Sequence, residues 1–162
     1  MPNDSLPSVP TLDVPQFPQR SASDCLAACA AMVLAYHGKP VSYGRLLRLL
    51  KIGPIGAPRR NILNLSRLRG ISAIYREATL PILVQYLETG LPVIAFVDTG
   101  ELGYWSSTTN HAVVLVGIDG DDVLVNDPAL AEVQPVHVPV GEFDLAWFNA
   151  DNACAIVSAS RT

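Results

Sequence analysis

Residues 19–38 read QRSASDCLAACAAMVLAYHG, and the fold turns on how this stretch is read. Asp24 stands where a helix N-cap would stand, and Cys25 opens the helix. Leu26, Cys29, Ala30, Val33 and Leu34 then recur at helical spacing. Gly38 ends the run and Pro40 reinforces the stop. A helix N-terminus favours a thiolate, because its unpaired amides and the helix dipole stabilise the anion. Cys25 sits where that effect is largest, whereas Cys29, one turn inside, reads as a packed small residue. Position alone leaves Cys25 open as a buried small hydrophobe, half of a disulfide, a metal ligand or a nucleophile.

The rest of the chain narrows these choices. Its 162 residues fit one domain with a real core, and 49% hydrophobic against 16% charged residues argues against disorder. No segment reaches the ~18 uninterrupted apolar residues of a membrane span. The opening MPNDSLPSVP lacks the basic and apolar regions of a secretory signal, so a cytoplasmic location is expected. Three cysteines (Cys25, Cys29 and Cys154) without a signal argue against a disulfide scaffold. The C-x3-C pair has no second pair and few histidines nearby, so no metal is expected. Residues 1–76 hold ten of the eleven Lys and Arg, and residues 77–162 hold twelve of the fifteen acids. Such a split suits docking between the halves or orientation of a charged partner, and it equally suits two solvated surfaces. The arginines of residues 43–69 belong to an overall acidic chain with no nucleic-acid motif, so nucleic-acid binding is not expected.

Residues 1–13 read as an extended N-terminal arm and 14–162 as the domain. The prolines of VPQFPQ exclude a helix there. Ser42 caps a second helix, YGRLLRLLK, GPIGAP is a loop, and RRNILNLSRLRG is a third helix closed by Gly70. The pattern then changes. ISAIYRE alternates as a strand, and TLPILVQYLETG is a helix capped by Thr79 with Pro81 in its first turn. LPVIAFV is an apolar strand and TGELGYWSSTTN a long loop. HAVVLVGI and VLVND form a hairpin about DGDD. VQPVHVPV is a strand, GEFDLAWF a short helical turn and ACAIVS a closing strand. A helical first half followed by mainly antiparallel sheet predicts an α+β domain with two lobes.

A nucleophilic cysteine needs a base and a group that orients the base. His37 lies at the far end of the first helix, ~18 Å from Cys25 at 1.5 Å per residue, so it cannot serve. His137 sits in an exposed-looking strand. His111 opens a strand after the long loop, where active-site residues tend to sit. In the hairpin His111 falls opposite position 129, within reach of Asp127 if a bulge or the NDP turn cooperates. Read singly, NDP is also an ordinary turn initiator, and Gln19 is also a solvated loop glutamine. As an oxyanion ligand, the Gln19 amide would act with the backbone N–H of the nucleophile. The loop 99–110 either covers the cleft beside His111 or packs Tyr104 and Trp105 on the sheet.

The ordered set QRSASDC, the following C-A-A-M, NHAVVLVGI and VLVNDPA resembles the peptidase C39 family, over about Val14 to Ser158. The resemblance implies a papain-like cysteine peptidase fold, with an N-terminal helical lobe packed on a C-terminal antiparallel β-sheet lobe. It implies Cys25 as nucleophile, His111 as general base and then acid, Asp127 as its orienting group and Gln19 in the oxyanion hole. Substrate contacts are expected from Asp24, Leu26, Asn110 and Trp105. The family's substrates are leader peptides cut after a small-residue pair, with an amphipathic leader helix docking nearby, and no cofactor is needed. With no transporter in this chain, the partners implied are a peptide or protein substrate and a separate transporter or membrane partner. The family usually carries glycine directly after the nucleophile. Leu26 stands there here, and a leucine changes how a substrate backbone approaches. The alternative reading is a peptide-binding domain of the same fold that does not cut its ligand.

Overall fold

The structure, a computed structural model, describes residues 6–132 and 135–160. Six strands form one antiparallel sheet in the order β1-β6-β2-β3-β4-β5. They are β1 (Ile71–Glu77), β2 (Val93–Asp98), β3 (Asn110–Asp119), β4 (Asp122–Asn126), β5 (Val136–Pro139) and β6 (Ala153–Ala159). The helices are α1 (Cys25–Tyr36), α2 (Tyr43–Leu49), α3 (Leu80–Glu88) and α4 (Val140–Phe148), with a 3-10 segment at Arg59–Arg67.

The unbroken apolar runs of β2 and β3 have a simple cause: both faces of the sheet are covered. Ile94, Phe96, Ala112, Val114 and Val116 pack with α1, α2 and the 3-10 segment. Val93, Ala95, Val97, Val113 and Leu115 pack with Leu83, Val84 and Leu87 of α3 and with Phe143 and Trp147 of α4. Period-two alternation sends neighbouring residues of one strand into two different cores. α1 is apolar nearly all round because it is buried nearly all round, from Leu26 through Leu34. The N-terminal helices therefore form one layer on the sheet, as expected. The second half adds α3 and α4 on the opposite face, a layer the two-lobe expectation did not include.

Several elements differ in detail from the expected ones. Residues 59–67 form a 3-10 segment rather than an α-helix. Asn61 and Asn64 donate to the Leu50 and Leu49 carbonyls at the end of α2, and the Ser66 hydroxyl bonds both the N–H and the C=O of Ala73. These side chains fasten the segment to its neighbours in place of a regular helix ladder. Ser42 does cap α2, accepting from the Arg45 N–H. Thr79 occupies the N-cap position of α3 without a side-chain cap bond. GEFDLAWF lies in a full helix, α4, not a single turn. The expected strand VQPVHVPV is seen as β5 from Val136, and its residues 133–134 lie outside the described residues.

Residues 6–12 of the expected arm lie against the sheet. β2 begins opposite Leu115, and beyond that point the free edge of β3 is taken up by the arm. Val9 and Ile118 exchange backbone hydrogen bonds of 2.9 and 3.1 Å, and the Leu12 N–H donates to the Val116 carbonyl at 2.7 Å. Gly117 makes this approach possible, since a Cβ there would lie 3.0 Å from Thr11 Cα and 3.2 Å from the Val9 carbonyl oxygen. Gly117→Ala is expected to cost about 1–2 kcal/mol in urea unfolding, and to expose residues 6–12 to limited proteolysis before the domain unfolds.

Candidate active site

The site begins with the turn before α1. The Asp24 carbonyl accepts the Ala28 N–H at 3.1 Å, so Asp24 occupies the cap position. Its side chain does not cap the helix. It turns back to accept from the backbone N–H of Ser21 at 2.9 Å and of Arg20 at 3.3 Å, and from the Tyr43 hydroxyl at 2.6 Å. The Arg20 guanidinium stacks 4.2 Å over the Tyr43 ring. Asp24 thus folds residues 20–24 into a tight turn braced against α2, and it delivers Cys25 as the first residue of the helix. The first amides of α1 are left without a side-chain partner.

The opposing half of the site comes from the β3–β4 hairpin. Val114 pairs with Asn126 and Leu115 with Val125, and a bulge shifts the register between Leu115 and Gly117. β4 ends at Asn126, and the chain turns so that Asp127 reaches back to His111. His111 Nε2 donates to Asp127 Oδ1 at 2.7 Å, with both side chains buried. Asp127 Oδ1 also accepts the Ala129 N–H at 2.9 Å, an Asx turn that aims the carboxylate. Nε2 is occupied by Asp127, so Nδ1 is the ring nitrogen left over, and His111 lines the same cleft as Cys25.

A cleft of about 380 Å³ joins the two halves. It is lined by Cys25 and Leu26 of α1, Ile55 to Arg59 of the loop before the 3-10 segment, Phe96 of β2 and Thr109 to Ala112. Of the residues expected to contact substrate, Leu26 and Asn110 line it, while Asp24 and Trp105 do not. Asp24 is spent on the turn. Trp105 packs its ring 4.8 Å from that of His111 and donates from Nε1 to Asp127 Oδ2 at 2.9 Å. Leu26 is only 5% exposed and sits in the core between α1 and the sheet, so most of its side chain points away from the cleft. Gln19 does not line the cleft: its side-chain amide donates to the Ser21 carbonyl at 2.8 Å, and its Oε1 is buried without a partner.

Other histidines and cysteines are occupied elsewhere. His37 bonds the Val157 carbonyl at 2.8 Å, and His137 is exposed beside Asp122. Cys29 is fully buried, and burial first, then the charges of Cys25 and Asp127, raise its pKa well above the ordinary thiol value. Gln16 and Tyr43, which no reading of the sequence singled out, brace the site together with Asn126 of the NDP turn. Gln16 donates to the backbone carbonyls of Asp127 and Leu130, at 2.7 and 2.9 Å. Asn126 donates to the Val14 carbonyl at 3.0 Å. Gln16 within VPQFPQ and Asn126 within NDP were the available signal, but such residues are ordinary in loops.

A helical layer on an antiparallel six-stranded sheet is the architecture of papain-like C39 peptidase domains. The chain belongs to the peptidase C39 family, whose family model matches residues 13–150. Among solved structures it is similar to a double glycine motif protease from an AMS/PCAT transporter in complex with the leader peptide. That likeness has 28% identity and a TM-score of 0.70, covering 96% of this chain and 99% of that one. A C39-like chain from Bacillus anthracis shares the fold at 19% identity and a TM-score of 0.75, covering 96% of this chain and all of that one. So does the peptidase domain of Streptococcus ComA, at 20% identity and a TM-score of 0.73, covering 91% and 99%. No curated protein matches the chain.

Electrostatics of the buried pair set a pH signature. Burial disfavours the His111 cation, but Asp127 and Cys25 outweigh it and push its pKa from 6.5 up to about 9. Burial also disfavours the Asp127 anion, yet the bonds from His111, Tyr104 and the Ala129 N–H hold it below the ordinary 3.8. A raised imidazole contributes stability that is fully present below pH 6.5 and is lost as the pH rises through about 9. A depressed carboxyl contributes stability present above pH 3.8 and lost as the pH falls below it. The Tm advantage of the wild type over His111→Gln is therefore expected to be greatest between these limits and to shrink steadily from pH 6.5 to 9. A constant advantage over that range would mean that the folded imidazole is neutral.

Proposed function

We propose that this chain is a cysteine peptidase in which Cys25 is the nucleophile, His111 the proton carrier and Asp127 its orienting group. One observation carries the proposal. His111, held at Nε2 by a buried carboxylate at 2.7 Å, lines the same cleft as a thiol that opens a helix. The helix N-terminus and an imidazolium both favour the thiolate.

In the reaction the Cys25 thiolate forms a bond to the carbonyl carbon of the substrate, and the C=O electron pair moves to oxygen. The oxyanion is met by backbone N–H groups at the start of α1 and by the Gln19 amide. Gln19 must leave the Ser21 carbonyl to do so. Collapse expels the amine, which takes the proton from His111 Nδ1, and leaves a thioester on Cys25. Neutral His111 then takes a proton from water as the water oxygen bonds to the thioester carbon, and the thiolate leaves.

The substrate read from the family and from the 28%-identical double glycine protease is a leader-type peptide cut after a small-residue pair. The small residues Ala22, Ser23, Gly56 and Ala57 along the cleft suit such a segment. Leu26, folded into the core, leaves the approach to Cys25 less altered than its bulk suggests. A transporter is the partner this reading implies, since the 28%-identical double glycine protease derives from one.

Two assays test the proposal. At pH 6.5 iodoacetamide is expected to label Cys25 at least ~10-fold faster in the wild type than in His111→Ala. A synthetic peptide with Gly-Gly between a leader and a cargo segment is expected to be cut after the pair, read by mass spectrometry. Cys25→Ala should lower that rate at least ~1,000-fold. Equal labelling in both proteins, with no cleavage, would leave a peptide-binding domain.

A further inference from the structure

We infer that Tyr104 and Trp105 are positioning residues that hold the Asp127 carboxylate ionised and aimed at His111, which makes the loop 99–109 part of the apparatus of the cleft. The role rests on the proposed function, but the geometry behind it stands by itself. Each oxygen of Asp127 has two donors. Oδ1 takes His111 Nε2 at 2.7 Å and the Ala129 N–H at 2.9 Å. Oδ2 takes the Tyr104 hydroxyl at 2.7 Å and Trp105 Nε1 at 2.9 Å. With all four present the carboxylate cannot rotate without breaking bonds, and it is only 1% exposed, so no water replaces them.

The loop is built to hold this position. Thr99 is fully buried and stitches the neck, donating from its hydroxyl to the Ser107 carbonyl and accepting the Thr109 N–H, at 2.8 and 2.9 Å. The tip is anchored to α4, where Glu142 Oε1 accepts the Gly103 N–H at 2.6 Å. A Cβ on Gly103 would lie 2.9 Å from that same Oε1, so a larger residue there pushes the Glu142 carboxylate off its anchor. Trp105 also closes over the His111 ring, at 4.8 Å between centroids, and shields the His111–Asp127 bond from solvent. The other titratable groups acting at Asp127 are His111 from β3, Tyr104 itself and Cys29 from α1.

Removing donors from a buried carboxylate favours its protonated form. The test is carbon NMR of the protein labelled at the aspartate side-chain carboxyl carbons, titrated from pH 6 to 4, with the Asp127 signal assigned through Asp127→Asn. The wild-type Asp127 is expected to stay ionised throughout. In Tyr104→Phe with Trp105→Phe it is expected to titrate within that range, at least ~1 pH unit higher than in the wild type. Should the double variant not fold, Tyr104→Phe removes a single oxygen and keeps the ring, and is read the same way. Gly103→Ala, which disturbs the Glu142 anchor of the loop without touching Asp127, should raise the midpoint by a smaller amount. An Asp127 signal that remains ionised to pH 4 in the Phe variants would overturn the inference and reduce the aromatic pair to packing. The readout requires no substrate, so it fails or succeeds independently of whether Cys25 cleaves a peptide.

Discussion

The cleft depends on a strap. Residues 14–19 are tied to residues 126–130 by bonds from Asn126 to the Val14 carbonyl, from Gln16 to the Asp127 and Leu130 carbonyls, and from the Gln19 N–H to the Pro128 carbonyl. These links span more than a hundred residues of chain. They join the segment leading into α1 to the turn that ends β4. Cys25 hangs from one side of the strap and Asp127 from the other; Asp127 holds His111, which lines the cleft with Cys25. The prolines of VPQFPQ keep this segment extended, and an extended segment offers its backbone and side-chain groups to a neighbour instead of to itself.

Behind the cleft the decisive group is the buried carboxylate of Asp127. A charge removed from water is tolerated only when it is paired and fully hydrogen-bonded. Asp127 meets that condition through four donors drawn from three parts of the chain. The donors act in the same direction: each makes the anion less costly, and the anion in turn raises the pKa of His111. The two thiols of α1 show how local this control is. Cys25 opens the helix at the cleft, beside His111. Cys29, one turn further on, lies at 0% exposure in the core, where burial resists ionisation.

Much of the architecture was legible from pattern. α1, α2, β1, α3 and the β3–β4 hairpin lie where periodicity and stop signals put them, because hydrophobic spacing and Gly or Pro punctuation act over a few residues. Hairpin register placed His111 opposite position 129, two residues from Asp127, and the family resemblance and the NDP turn had to supply the rest. The 3-10 form of residues 59–67 could not be foreseen, since Asn61, Asn64 and Ser66 choose partners in α2 and β1 that no local window contains. Nor could the fate of Asp24 and Trp105 be read in advance. Both sit beside cleft residues in sequence, and both turn their polar atoms away from the cleft to more demanding partners.

The sequence by itself determined the elements, the apolar faces and a short set of chemically capable residues, because helix spacing, strand alternation and capping residues are local properties of the chain. Only the tertiary structure decided which of those residues converge. It seated the N-terminal arm on β3 beyond the start of β2, placed a second layer of helices behind the sheet and set two aromatic donors on Asp127. Those outcomes depend on which buried polar groups find partners, and a partner a hundred residues away is chosen by the packed whole rather than by the neighbouring sequence.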